Sequence, residues 1–170
     1  STFTCSDPQA VFVFPAGTGL GGNEVMLGNG THGFLLDTRV TGDLTVTVRV
    51  SDGSGHSVQR QCTVTSRYPK FSAMIRTMSS AALYSDSPMT LIIRSTEYAG
   101  DYTVSYTTTS TNCRVSYGGS MLRPDSPVTL EAGQHIFTAN SSYAERTEFV
   151  FTITDIYGQS QQAQASITWR

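Results

Sequence analysis

The sequence predicts an all-β chain of two tandem β-sandwich modules. Three observations predict it: apolar residues alternating strictly with polar ones, turn residues at short intervals, and an internal repeat at an offset of 103 residues. Successive side chains of a strand point to opposite faces. Leu44, Val46, Val48 and Val50, separated by Thr45, Thr47 and Arg49, therefore spell a half-buried strand. Phe149, Phe151 and Ile153, alternating with Val150, Thr152 and Thr154, spell another, with Phe151 expected in the core.

In chain order, further strands are expected over 11–14, 32–40, 57–65, 71–76, 89–95, 101–109, 114–117, 128–130, 135–139 and 161–169. These are rich in Val, Thr, Tyr and Phe, whose branched or flat side chains suit a pleated surface. Tyr102 and Tyr106 share parity with Val104 and so belong to the packed face. Turn clusters lie between, at 15–22, 28–30, 52–55, Gly118-Gly119 and 155–158. No segment has the period of an amphipathic helix, although 78–84 has room for one helical turn.

Residues 25–67 align with 128–170 without a gap, and 12 of these 43 positions are identical. Gly30/Gly133, His32/His135, Phe34/Phe137, Asp52/Asp155 and Gly55/Gly158 are among them. A one-residue slip would flip every side chain to the other face, so ungapped spacing predicts equal register in the two copies. A period of about 100 residues is the size of an immunoglobulin-like sandwich. The expected fold class is thus two tandem immunoglobulin-like β-sandwich modules, 1–68 and 69–170. The first is incomplete at its N-terminus, because it has nothing equivalent to 71–95. Such a sandwich exposes inner faces and strand edges, so strand-forming sequence ahead of Ser1, or a strand from another molecule, is expected to complete it. Ser1 follows neither a Met nor a leader, as expected of a processed or excised chain.

Charged residues are 14% of the chain, the net charge is -2, and Lys70 is its one lysine. No basic surplus exists to neutralise phosphates, so nucleic acid is not an expected partner. Instead, 21 Ser and 24 Thr give a surface of neutral hydroxyls. No run of eighteen apolar residues is present, which excludes a membrane-spanning helix.

Motifs that carry chemistry are few. Gly17 to Gly22 satisfies G-x-G-x-x-G, but a β pattern rather than a helix follows, so an inter-strand loop is expected and no dinucleotide site. His32 and His135 are equivalent in the repeat and lie about one module apart, too far to share a metal. Each sits two residues before an inward Phe and is expected to point inward or into a sheet seam, in a structural hydrogen bond. No calcium-loop pattern, nucleophile–base pair or nucleophile elbow is legible, so no metal, no cofactor and no catalytic residue is expected. Cys5, Cys62 and Cys113 are an odd count. Cys62 alternates with Val64 and aligns with Ala165, which predicts a buried position; Cys113 follows a polar loop and is expected exposed. A Cys5–Cys62 bridge stays open for an oxidising compartment. Asn29-Gly30-Thr31 and Asn140-Ser141-Ser142 are sequons that matter only in eukaryotic secretion. Tyr98, Tyr143 and Tyr157 fall in or near loops, where an exposed aromatic can anchor a protein partner or a sugar ring. They are the candidate partner-binding residues.

The stretches LTVTVRVSDGSGHSVQRQCTVT and TEFVFTITDIYGQSQQAQASITW resemble the closing hairpin of extracellular bacterial immunoglobulin-like modules. Their Asp and Gly serve the turn. The second module is also similar to the TraQ-like proteins of Bacteroides conjugative transposons. The likeness lies in Ile92 to Arg94, Gly100 to Tyr102, Phe137 to Ser142, and Asp155 to Gly158; Tyr157 and Gln159 stand where that family has Phe and Asn. The resemblance implies an exported, non-catalytic binding or assembly component of a mating apparatus, in the periplasm or at the cell surface. It further implies protein partners in the cell envelope and a membrane tether outside this chain. A surface adhesin or carbohydrate-binding fragment is the alternative that the hydroxyl-rich surface and loop tyrosines support.

Overall fold

The computed structural model describes residues 1–14, 19–21 and 24–170, with 19–21 described by backbone alone. The described residues form strands and turns and no helix. The chain divides into two compact units, Ser1–Tyr68 and Pro69–Arg170.

The first unit contains β1 (Thr2–Cys5), β2 (Val11–Val13), β3 (Gly19–Gly21), β4 (Glu24–Val25), β5 (Leu35–Asp37), β6 (Gly42–Ser51) and β7 (Ser57–Ser66). One sheet runs β3-β4-β1-β6-β7, and β2 pairs separately with β5. Its core is small. Phe3, Phe12, Val25 and Val46 are buried, with Phe14, Phe34 and Val48 packed on them. Phe3 meets Phe14 and Phe34 edge-on at 4.9 and 5.0 Å, contacts worth about 0.5–1.5 kcal/mol each beyond burial.

The second unit contains β8 (Phe71–Thr77), β9 (Ser80–Ala81), β10 (Ser87–Ser95), β11 (Tyr102–Thr108), β12 (Cys113–Tyr117), β13 (Ser120–Leu122), β14 (Val128–Leu130), β15 (Gly133–Ser141), β16 (Arg146–Thr154) and β17 (Ser160–Trp169). Two five-stranded sheets, β13-β12-β15-β10-β8 and β14-β11-β16-β17-β9, make a sandwich. Their alternating inner faces share one core that includes Met89, Leu91, Phe137, Phe149, Phe151, Ile167 and Trp169. Tyr102 and Tyr106 are in it, as their parity predicts. Phe137 meets Phe151 edge-on at 5.0 Å, joining the sheets, and the Trp169 indole N–H donates to Thr147 Oγ1.

The repeat extends further than the sequence alignment. Under the same shift of 103, β1, β2, β4, β5, β6 and β7 correspond to β11, β12, β14, β15, β16 and β17. Every pairing among them keeps its register. Phe3 faces Val48 as Tyr106 faces Phe151; Phe12 faces Leu36 as Val115 faces Ala139; Val46 faces Cys62 as Phe149 faces Ala165. The turns match as well. Asp52 Oδ1 accepts the backbone N–H groups of Ser54 and His56, and Asp155 Oδ1 accepts those of Tyr157 and Gln159. Gly55 (φ 89°) and Gly158 (φ 82°) take the left-handed conformation that closes each turn.

Several expectations need correction. The strand expected over 32–40 is only Leu35–Asp37, whereas its counterpart β15 runs for nine residues with β10 beside it. Cys62 is exposed, not buried. It does face the same side as Val46, but the packing that buries Val46 does not reach across to Cys62. Cys113 is buried rather than exposed, because its strand begins at the cysteine itself. Cys5 and Cys62 both stand opposite Val46, one strand to either side. Strands lie about 4.8 Å apart, which puts the two cysteines about 10 Å apart and beyond disulfide reach. Segment 78–84 holds β9 and a turn instead of a helical turn. Gly19 to Gly21 form a strand rather than a loop; Gly17 and Gly22 lie outside the described residues. β1, β3, β4, β9 and β13 were not expected at all, since two to four residues are too few to show alternation.

Candidate functional site

The three candidate tyrosines divide between the two ends of the second unit. Tyr98 lies in the β10–β11 connection and Tyr157 in the β16–β17 turn. Their rings meet edge-on at 6.0 Å, and Tyr98 also stands edge-on to Tyr102 at 5.6 Å. Phe71 also packs against Tyr102, with ring centroids 5.0 Å apart. The buried ring of Tyr102 therefore floors an aromatic cluster whose outer members are Tyr98, half-buried, and Tyr157, 39% exposed. The Tyr98 hydroxyl donates to the Asp101 carbonyl, and its ring lies over Gly100, where a Cβ would come within 2.1 Å of it. Only glycine leaves room for the ring there. Burial, followed by the neighbouring Tyr157 and Asp101, pushes the Tyr98 hydroxyl above the usual tyrosine range. Beside the cluster, Lys70, Phe71, Arg94 and Gly133 line an open groove of about 610 Å³. This end presents flat apolar rings with cations alongside, chemistry suited to gripping a partner's side chains.

Tyr143 is at the opposite end, since β16, about 30 Å long, separates the two loops. It is 61% exposed, and its backbone N–H donates to Ser141 Oγ. Sequence reasoning missed its neighbour Tyr84, which is 75% exposed and holds φ at 58°, uncommon for a bulky residue. The Tyr84 N–H donates to the Ser141 carbonyl, and Tyr84 lines a cavity of about 330 Å³ together with Thr111, Asn112, Arg114, Asn140 and Ser142. Alternation around Val115 places Arg114 outward, so that residue was legible. The conformation of Tyr84 was not, because nothing in its residue type calls for a left-handed backbone.

The histidines hold loops. His32 Nε2 is 2.7 Å from the Gly28 carbonyl, and His135 Nε2 is 2.8 Å from the Glu131 carbonyl, the same bond in each unit. His135 also meets the Tyr117 hydroxyl through Nδ1 at 3.0 Å. The structural role is as expected, but His32 is exposed and not inward. Among the described residues, no three His, Cys, Asp or Glu side chains gather as a metal site. Burial pushes the Cys113 thiol up to about 11, which makes it inert at neutral pH.

No family model matches the chain, and no curated protein matches it. Solved structures do. One is a conjugative transposon lipoprotein from Bacteroides eggerthii, 13% identical, with a TM-score of 0.50 over 59% of this chain and 98% of that one. Another is a lipoprotein from Bacteroides thetaiotaomicron, 19% identical, with a TM-score of 0.50 over 62% of this chain and 83% of that one. At such identities the likeness is one of fold: a large part of this all-β chain is built on the plan of those two lipoproteins.

Proposed function

We propose that the chain is a non-catalytic binding or assembly module of a bacterial conjugative-transfer apparatus. It is exported to the periplasm or the cell surface, is held in the envelope by a tether outside this chain, and engages protein partners there. The observation that carries this reading is the fold likeness to a lipoprotein described as belonging to a conjugative transposon. The shared registers support taking 1–68 and 69–170 as tandem immunoglobulin-like modules. The contact surface in this reading is the aromatic end formed by Tyr98 and Tyr157. An in-frame deletion of the gene, followed by a mating assay, tests it. Transfer should fall and be restored by the wild-type gene but not by the Tyr98→Ala/Tyr157→Ala variant. Unchanged transfer in the deletion strain contradicts the reading.

A second reading, an adhesin or carbohydrate-binding fragment, is favoured by the cavity that Tyr84 lines. An exposed ring beside Asn112, Arg114 and Asn140 offers a stacking face with amide and guanidinium donors. Saturable binding on a glycan array, abolished by Tyr84→Ala, would replace the first reading if transfer were unaffected.

A further inference from the structure

We propose that the outer face of β12 and β15, with the start of β10, binds a neutral oligosaccharide. The glycan runs from the cavity that Tyr84 lines into a second cavity beside it, and Arg114 and Asn140 contact it in both. This rests on the carbohydrate-binding reading and names its ligand class and the residues that set it.

Strand register builds the site. Arg114 stands directly opposite Asn140, and Ser116 stands opposite Thr138 on one side and Met121 on the other. Side chains two apart on a strand share a face, so these five lie on one surface, turned away from the core that takes Cys113, Val115 and Ala139. Just ahead of β10, Asp86 Oδ1 accepts from Asn140 Nδ2 at 2.9 Å, which holds the amide and leaves Asp86 Oδ2 and Asn140 Oδ1 to accept. A polar row of Arg114, Asn140 and Asp86 thus crosses from β12 over β15 to the start of β10. Arg114 and Asn140 line both the cavity of Tyr84 and a neighbouring one of about 270 Å³, whose other walls include Asp86, Ser116, Met121 and Thr138. Two cavities that share two walls make one extended groove, a shape for a chain of rings.

Charge sets the class. Among the described residues of this unit, the Arg114 guanidinium has no hydrogen-bond or ion-pair partner, Asp86 included. The groove therefore offers one cationic donor and one carboxylate acceptor, with amides and hydroxyls between them. Asp86 repels an anionic ligand and Arg114 a cationic one. Sugar hydroxyls, donor and acceptor at once, satisfy both. Exposed Tyr84 and Met121 add apolar contact for the C–H faces of the rings. The turn that carries Tyr84 is tied down beforehand, by its own N–H to the Ser141 carbonyl and by Ser85 Oγ to the Ala82 carbonyl. Glycine would suit its φ of 58° better, so what a tyrosine adds there is the ring.

The chain would be screened on an array of neutral, uronic-acid-bearing and sialylated glycans. Calorimetric titration with the strongest neutral oligosaccharide, and with its terminal monosaccharide, would follow. Saturable binding of the oligosaccharide is expected, clearly tighter than that of the monosaccharide. Tyr84→Gly removes the ring and relieves the backbone, so the urea midpoint should hold or rise while binding weakens about fivefold or more. Tyr84→Phe, which keeps the ring, should bind far better than Tyr84→Gly. Arg114→Gln should weaken binding about tenfold or more. Binding confined to acidic glycans, or neutral binding that Tyr84→Gly and Arg114→Gln both leave intact, would overturn the proposal and keep the carbohydrate reading. An array on which no glycan binds would overturn both.

Discussion

The hairpins β6–β7 and β16–β17 have one register and one turn, yet their inner faces differ. Along β16, Phe149, Phe151 and Ile153 are fully buried; along β6 burial fades from Val46 at 0% to Val50 at 49%. Along β17, Ile167 and Trp169 are at 0% and 1%, where β7 carries the exposed Val64 and half-buried Ser66. The ladders are the same, so the backbone pairing does not depend on the cover. What differs is the second layer. The first unit relies instead on its Phe3, Phe12, Phe14 and Phe34 cluster at one part of the sheet. Turn geometry and side-chain alternation fix a hairpin's register, while its buried face supplies most of the stability.

The largest contrast is expected from truncating matched positions. Phe151→Ala should cost the second unit about 3–5 kcal/mol. Val48→Ala, at the equivalent half-buried position, should cost only about 1 kcal/mol. Urea midpoints of the two variants measure this, and equal losses would break the comparison. Cysteine reactivity sharpens it. Cys62, being exposed, should react readily with a thiol reagent in the folded chain. Cys113, with its thiol raised to about 11, should react only as its unit unfolds. A Cys113 rate near that of Cys62 would mean that the second core is open.

Smaller effects are expected in the turns. Tyr157→Ala removes a partly exposed ring and its edge contact with Tyr98, costing about 0.5–1.5 kcal/mol. The smallest effect concerns Asp52, whose carboxyl is held below the usual carboxylate range by the His56 side chain first and by backbone N–H groups next. A lowered folded value means that this contribution is full at pH above the ordinary aspartate value of about 3.9 and is lost as pH falls through the lowered one. Asp52→Asn should therefore destabilise the hairpin at neutral pH and flatten its acid dependence, as read from chemical shifts over 52–57.

Alternation made most of this fold legible, because a period of two survives any uncertainty about strand ends. The repeat added register, through Asp52/Asp155 and Gly55/Gly158. Alternation does not reveal which face is covered: Cys62 has inward parity and is exposed, since covering depends on strands far away in sequence. Of the candidate site, Tyr98 and Tyr157 were legible as loop aromatics, but their meeting over Tyr102 depends on Gly100, which reads in sequence as an ordinary turn residue. Tyr143 had the same signal and lies at the other end, and Tyr84 had none.

Native-state hydrogen exchange of the 170-residue chain tests most directly whether one ladder is covered along its length and the other only in part. Amides of β16 and β17 should exchange only through unfolding of the whole second unit. Their matched amides in β6 and β7, most of all toward Val50 and Val58, should exchange orders of magnitude faster through local opening. Equal protection at matched positions such as Val48 and Phe151 would contradict the account.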